Sequence, residues 1–300
     1  MRSRKYLVYI VILLLIGAAV GLYVSTKPAA TEDDHVAGPM QIMTTTSLLE
    51  CAVKEIGGEH VRVGVLIAPG SCPGHYDIRP EDMKTLCASK ILFTHGYEGF
   101  VPRMLESAGR QRPKEVAISV DGNWMIPSVY ISALTKVADV LCESDSAHSE
   151  EYKDALVRLQ DEYKKLEEEL KSQLEEAGAD GVPALCSDQQ ADVAKWMGLK
   201  VVDIYPRAEQ FTPVLLHHMT DIGQKNQVKI CVDNLQSGPT AGLPLAKDLG
   251  ATHVTISNFP GGFADTDTWK ECAQDNVRRV IKSLKSNTNR KPSTVNRNAH

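Results

Sequence analysis

Cys72 and His75 stand three residues apart in PGSCPGHYDIRPED, residues 69–82. On a loop, that spacing lets a thiolate and an imidazole reach one ion, a donor pair that suits zinc or another borderline-soft metal. The competing reading is a tight Gly/Pro turn in which His75 bonds Asp77 or a carbonyl. His95, in FTHGYEGF, ends an apolar run and is expected to open toward the same face. Cys72, His75 and His95 are therefore the candidate metal ligands. Ser187, Asp188, Asp233 and Asn258 close later apolar runs and are the candidate lining of a ligand cleft. Ser187 and Asp188 also suit the cap of a following helix, and NFPGG at 258–262 also reads as a turn. His217 and His218 sit on adjacent faces of one helix, a surface pair. No GxSxG, HExxH or P-loop pattern occurs. The catalytic alternative is an exported enzyme with Cys72 as a histidine-assisted nucleophile.

These residues need elements to hold them. From residue 40 the chain alternates short apolar runs with amphipathic ones: QIMTTT, VRVGVLIA, KILFTH and EVAISV read as strands, with helices between them. After residue 182 the rhythm repeats with VPALCS, LKVVDIY, VKICVD and THVTISN. Alternation of this kind predicts parallel sheets covered by helices, with ligands outside the carboxyl ends of the strands. The loops there are 44–47, 69–80, 94–99 and 121–127 in the first half. In the second they are 187–188, 206–211, 233–239 and 257–262. Two such units facing each other make a cleft.

Between them, residues 149–177 place apolar side chains at Tyr152, Leu156, Leu159, Tyr163, Leu166, Leu170 and Leu174. Steps of three and four make one helical face, with Glu167 and Lys171 among the charges spaced for support along the helix. Ser149 is placed to cap its start. A coiled-coil arm is the alternative, but a strut joining two lobes accounts better for the flanking α/β units. The expected fold class is α/β, two Rossmann-like lobes with mainly parallel sheets joined by one long rigid helix. The expected segments are 1–38 (anchor or signal, and tether), 39–147 (first lobe), 148–178 (linking helix), 179–284 (second lobe) and 285–300 (a polar, basic tail).

Arg2, Arg4 and Lys5 precede an uncharged run over residues 6–24, and Glu32, Asp33 and Asp34 follow it. That polarity places the rest of the chain outside the cytoplasm, through an uncleaved anchor or a signal cut after Pro28-Ala29-Ala30. The net charge of −5 argues against a nucleic-acid partner, and a monomer is expected. Seven cysteines without a CxxC pair leave at least one unpaired; Cys87, Cys142 and Cys231 have apolar neighbours and read as small core residues.

The segment TTTSLLECAVKEIGGEHVRVGVLIAPGSCPGHYDIRPEDMKTLCASKILFTHGYEGF resembles the first lobe of the solute-binding proteins of zinc- and manganese-uptake ABC transporters. GNWMIP at 122–127, CSDQQADVAKWMGLKVVDIY and ICVDNLQSG…AKDLGATHVTISNFPGG resemble their later motifs, so the likeness covers about residues 40–284. It implies a metal held between two lobes, delivery to a permease with its ATPase, and zinc or another divalent transition metal as cargo. It also implies that closure is limited by the strut. The family's ligand positions fall at Gly74, Gly122, Ser187 and about Asn258, none with the family's residue. Either another set such as Cys72, His75 and His95 holds the ion, or the cleft takes something larger, such as a metal chelate. A ligand-free scaffold is the remaining reading.

Overall fold

Each run marked as a strand is one in the structure, a computed structural model that describes residues 38–288. In the first lobe β1 (Met40–Thr44), α1 (Ser47–Gly57), β2 (Val61–Val65), α2 (Pro80–Ala88), β3 (Ile91–Thr94), α3 (Val101–Ala108) and β4 (Lys114–Ala117) follow in order. The connecting helices are α4 (Pro127–Ser144) and α5 (Ser149–Glu176). The second lobe runs β5 (Pro183–Ser187), α6 (Ala191–Trp196), β6 (Lys200–Tyr205), α7 (Pro213–Lys225), β7 (Ile230–Asn234), α8 (Leu243–Leu249), β8 (Thr252–Ile256) and α9 (Trp269–Thr288). The sheets are ordered β2-β1-β3-β4 and β6-β5-β7-β8, and all their pairings are parallel. In each sheet the chain turns outward in opposite directions from the two central strands. The crevices at this switch lie beyond the carboxyl ends of β1 and β3, and of β5 and β7.

The predicted stripe on α5 is a packed face: Tyr152, Leu159, Tyr163, Leu166, Leu170 and Leu174 are buried, and Leu156 is half-buried against the same core. Twenty-eight residues span roughly 42 Å at 1.5 Å each. The helix lies along α4 and touches α1 of the first lobe and α9 of the second. Glu167 pairs with Lys171 at 2.9 Å, Trp196 Nε1 donates to Glu167 at 2.9 Å, and Lys270 reaches Glu162 at 2.8 Å. Ser149 is not the cap: it is the first helical residue, and His148 before it makes no side-chain cap bond. One hydrophobic cluster runs from Ile42 and Phe93 through Tyr163 and Leu170 to Ile256 and Leu284. The described residues from Pro39 on form one compact unit. Lobes that share a core cannot swing apart without exposing it, which favours small shear over hinge opening.

Glu55 on α1 sits under this stripe, accepting from the Tyr130 hydroxyl at 3.1 Å. Burial pushes its carboxyl up to about 7, against the lowering effect of hydrogen bonds from Tyr163 and Tyr130. All seven cysteines are free thiols; Cys231 is buried, and Cys87 and Cys142 are half-buried. Burial raises the Cys231 and Cys272 thiols to about 12, so they pack rather than react. The apolar run at 6–24 and most of the basic tail lie outside the described residues. Among the described residues no helix is long and apolar enough to cross a membrane.

Candidate functional site

The loop between β2 and α2 is fixed from its far end. Asp82, at the third position of α2, accepts from the Arg79 backbone N–H at 2.8 Å. It also takes the Arg79 guanidinium at 3.1 Å and a short bond from the Tyr76 hydroxyl. Burial alone would raise the Asp82 pKa, but these bonds outweigh it and hold the carboxyl below its ordinary value. Upstream, residues 73–75 make a single 3-10 turn. Its tip carries Cys72 and Gly74 to the mouth of a cleft of about 580 Å³ between the lobes.

The first-lobe wall comes from the ends of β1 and β3. Thr46 Oγ1 accepts from Leu49 N–H to start α1 and shares a 2.9 Å hydrogen bond with His95 Nε2. His95 stacks on Tyr97 at 5.3 Å and meets the Trp124 ring edge-on at 4.8 Å. Its enclosure lowers the imidazole to about 4, against the opposing pull of Glu98, so the ring is neutral at pH 7. Glu98 is buried and its carboxylate is spent on its own turn, accepting from the N–H groups of His95, Gly96 and Tyr97 and from the Thr45 hydroxyl. Tyr97 is 64% exposed, an aromatic face over the opening.

The second-lobe wall is built of amides. Asn123 Nδ2 crosses from the first lobe to Asn258 Oδ1 at 2.9 Å and to the Gln189 carbonyl at 3.1 Å. Gln190 Nε2 donates to the same Asn258 oxygen at 3.0 Å. Gln236 Nε2 reaches back to the Pro69 carbonyl at 2.8 Å. Arg207 Nη1 contacts Cys72 Sγ at 3.2 Å, and among the described residues the guanidinium has no carboxylate partner. Asn234 is 1% exposed; its Oδ1 accepts from Gln236 and Ser237, while its Nδ2 has no partner. Both residues line the cleft. A buried donor without an acceptor costs about 1–3 kcal/mol.

The sequence-marked residues divide. Cys72, His95 and Asn258 line the cleft, whereas His75 is exposed outside the lining. Cys72, His75 and His95 do not form a group of possible ligand atoms lying within 4.8 Å of one another, because the 3-10 turn carries His75 away and Thr46 engages the His95 ring. Ser187, Asp188 and Asp233 are corrected too. The Ser187 hydroxyl caps the turn at 188–190, accepting from Gln189 N–H, and Asp188 is exposed. Asp233 is fully buried against Tyr205, Gly242 and His253. Tyr97, Asn123, Arg207, Asn234 and Gln236 are not among the candidates that the sequence offers, although Asn234 ends β7 and the others lie in the strand-end loops beyond β3, β4, β6 and β7.

A family model for zinc-uptake complex component A periplasmic proteins (ZnuA) matches residues 42–283. The chain belongs to that family. It is 33% identical over 92 residues to the manganese-binding lipoprotein MntA of Bacillus subtilis (strain 168), a match that spans only 30% of either chain. Among solved structures, it resembles the periplasmic zinc-binding protein TroA from Treponema pallidum, with 14% identity and a TM-score of 0.69 over 82% of this chain and 99% of that one. It also resembles a manganese-bound periplasmic metal-binding protein from Candidatus Liberibacter asiaticus, with 12% identity and a TM-score of 0.70 over 81% and 98%. At such identities the likeness is one of fold, the two-lobed α/β architecture with its long central helix. For this ZnuA-family member, three positions that the sequence resemblance assigns to ligands, Gly74, Gly122 and Asn258, lie on the cleft wall. They present two hydrogens and an engaged amide.

Two perturbed groups make opposite contributions to acid stability. Between about pH 4 and 6.5 the unfolded chain holds more of the His95 proton than the folded one, so acidification there removes stability. Glu55 takes its proton at about 7 when folded, against 4.5 ordinarily, so acidification from 7 to 4.5 adds stability. Over the shared window the two nearly cancel. In chelator-treated protein, Glu55→Gln is expected to leave stability falling on acidification below pH 6.5. His95→Gln is expected to leave stability falling as pH rises toward 7. Each excursion is of order 2–3 kcal/mol, read from urea midpoints at four pH values. Variant profiles parallel to the wild type would refute the assignment.

Proposed function

We propose that the protein is the extracytoplasmic solute-binding component of a metal-type ABC importer, handing its cargo to a permease driven by an ATPase. Its cargo is a divalent transition metal, zinc first, carried inside an anionic organic chelator. The reading rests on one observation: the cleft wall offers an unpaired guanidinium, neutral amides and the orphan Asn234 donor, without three converging metal donors. An amide-lined space of about 580 Å³ has the size of a small-molecule site, and its two charged lining side chains, Arg207 and Glu98, leave no net negative charge to hold a bare dication. A chelate's carboxylates would meet Arg207 and Asn234, with Tyr97 and Trp124 as apolar walls. Zinc is favoured over manganese because the nearest side-chain donors, Cys72 and His95, are nitrogen and sulfur. The polarity of the N-terminal run and the names of the relatives support the location outside the cytoplasm.

The test is calorimetric titration of the chelator-stripped full chain, in mild detergent, with zinc, manganese, zinc–citrate and zinc–histidine. The expected result is a chelate bound at least tenfold more tightly than either bare ion. Arg207→Ala should weaken that binding about 10–150-fold, the equivalent of about 1.5–3 kcal/mol for a hydrogen bond to a charged group. Stoichiometric binding of bare zinc, lost in both Cys72→Ser and His95→Gln, would replace the chelate with the ion.

A further inference from the structure

A second cluster of metal-type side chains lies apart from the cleft, where the 3-10 turn Gly58–His60 meets the turn Ser146–His148 and the first turn of α5. His60 Nε2 is 2.7 Å from Glu151 Oε2. The His60 and His148 rings stack with centroids 3.8 Å apart and planes 20° from parallel. Among the described residues, this is the group of three His, Cys, Asp or Glu side chains whose possible ligand atoms all lie within 4.8 Å of one another. We propose that His60, His148 and Glu151 form a metal site on the first lobe that takes a borderline divalent cation such as zinc.

The surroundings prepare the donors. His148 Nδ1 is 2.8 Å from Asp145 Oδ2, and the Tyr152 hydroxyl donates to the same oxygen at 2.7 Å. An ionised carboxylate can only accept, so Nδ1 carries the hydrogen and the lone pair of a neutral His148 falls on Nε2. That is the carboxylate–histidine arrangement that orients ligating imidazoles. Stacking fixes the His60 ring beside it, and Tyr152 packs against His60 edge-on at 6.0 Å. Two imidazoles this close repel when both are protonated; a single cation held by both, with Glu151 supplying charge, removes the conflict. An ion on His60 Nε2 takes the place of the hydrogen that now bridges it to Glu151, leaving the ring hydrogen of a neutral His60 on Nδ1. Two imidazoles and a carboxylate suit zinc better than calcium or magnesium. None of the three residues lines the cleft, so the site is independent of the cargo. It joins the end of α1's turn to the start of the connecting helix, and occupancy should raise thermal stability.

The experiment uses the full chain in mild detergent, stripped with chelator and titrated with zinc chloride at pH 7.5. The expected result is one zinc site, retained in Cys72→Ser and His95→Gln. His60→Gln and His148→Gln should weaken it at least 100-fold, and Asp145→Asn, which only orients a ligand, by about 10–100-fold. The Glu151 side chain is 63% exposed, so Glu151→Gln keeps the fold and gives a control free of misfolding; it should weaken zinc at least tenfold. Thermal melts should show zinc raising Tm in the wild type and not in His148→Gln. Failure of the wild type to bind zinc, or equal affinity in wild type, His148→Gln and Glu151→Gln, overturns the site.

Discussion

Replacing Trp269 with alanine is expected to destabilise the protein by about 3–5 kcal/mol. Trp269 opens α9 and is 0% exposed. Its indole lies flat on Tyr130 of α4, at 4.4 Å and 2°, and against the edge relation of Tyr163 on α5, at 4.8 Å and 64°. Its Nε1 donates to the Trp124 carbonyl at 2.8 Å. One side chain of the second lobe thus plugs the gap between the two connecting helices and holds a residue of the cleft wall. Truncation leaves a cavity the surrounding helices cannot fill, removes two aromatic pairs and orphans a buried carbonyl. The terms overlap and do not add. Trp269→Phe keeps most of the stacking and loses the hydrogen bond, so it should cost less than alanine. Urea unfolding is the measurement, with m unchanged and the midpoint lowered. A loss under about 1 kcal/mol for alanine would mean that the lobes are not keyed together here.

Much of this architecture is legible in the sequence because periodicity is a physical constraint. A parallel strand covered on both faces reads as a mostly apolar run, as ILFT at 91–94 does, buried along its whole length, and the α5 stripe must repeat every three or four residues to face one core. The position of the cleft is legible for the same reason, since strand order alone decides where crevices open. Side-chain direction is not so easily read. On β7 successive residues point to opposite faces, and Asp233 drew attention for its charge while Asn234, one residue on, faces the cleft. In the irregular loop at 69–80 no period exists; the bonds that Asp82 makes with Arg79 and Tyr76 help set the path, and His75 faces outward. Arg207 belongs to no motif. Its importance comes from what surrounds it, a cleft whose one lining carboxylate, Glu98, is engaged by its own turn, a setting that only the folded chain assembles.

Asp233→Ala is the second large effect, also about 3–5 kcal/mol, because the lost carboxylate serves several donors at once and each buried donor left without an acceptor costs about 1–3 kcal/mol. Asp233 is 0% exposed. Its carboxylate meets His253 Nε2 at 2.6 Å and accepts from the Tyr205 hydroxyl at 2.7 Å and the Gly242 N–H at 2.9 Å. Gly242 comes so close that a Cβ there would stand 2.3 Å from the Tyr205 oxygen and 3.2 Å from Asp233 Oδ1. Any side chain at that position would push the start of α8 off the sheet. Alanine at 233 leaves the Gly242 N–H and His253 without their acceptor, while Tyr205 keeps only the Val232 carbonyl at 3.0 Å. Asparagine retains one acceptor oxygen, so its cost should be smaller, about 1–3 kcal/mol. Because the carboxylate lies on the face of β7 away from the cleft, chelate affinity at a temperature where both variants stay folded should change by less than about threefold. The opposite pattern, intact stability with a tenfold or greater loss of affinity, would return Asp233 to the ligand site and require β7 to present its other face.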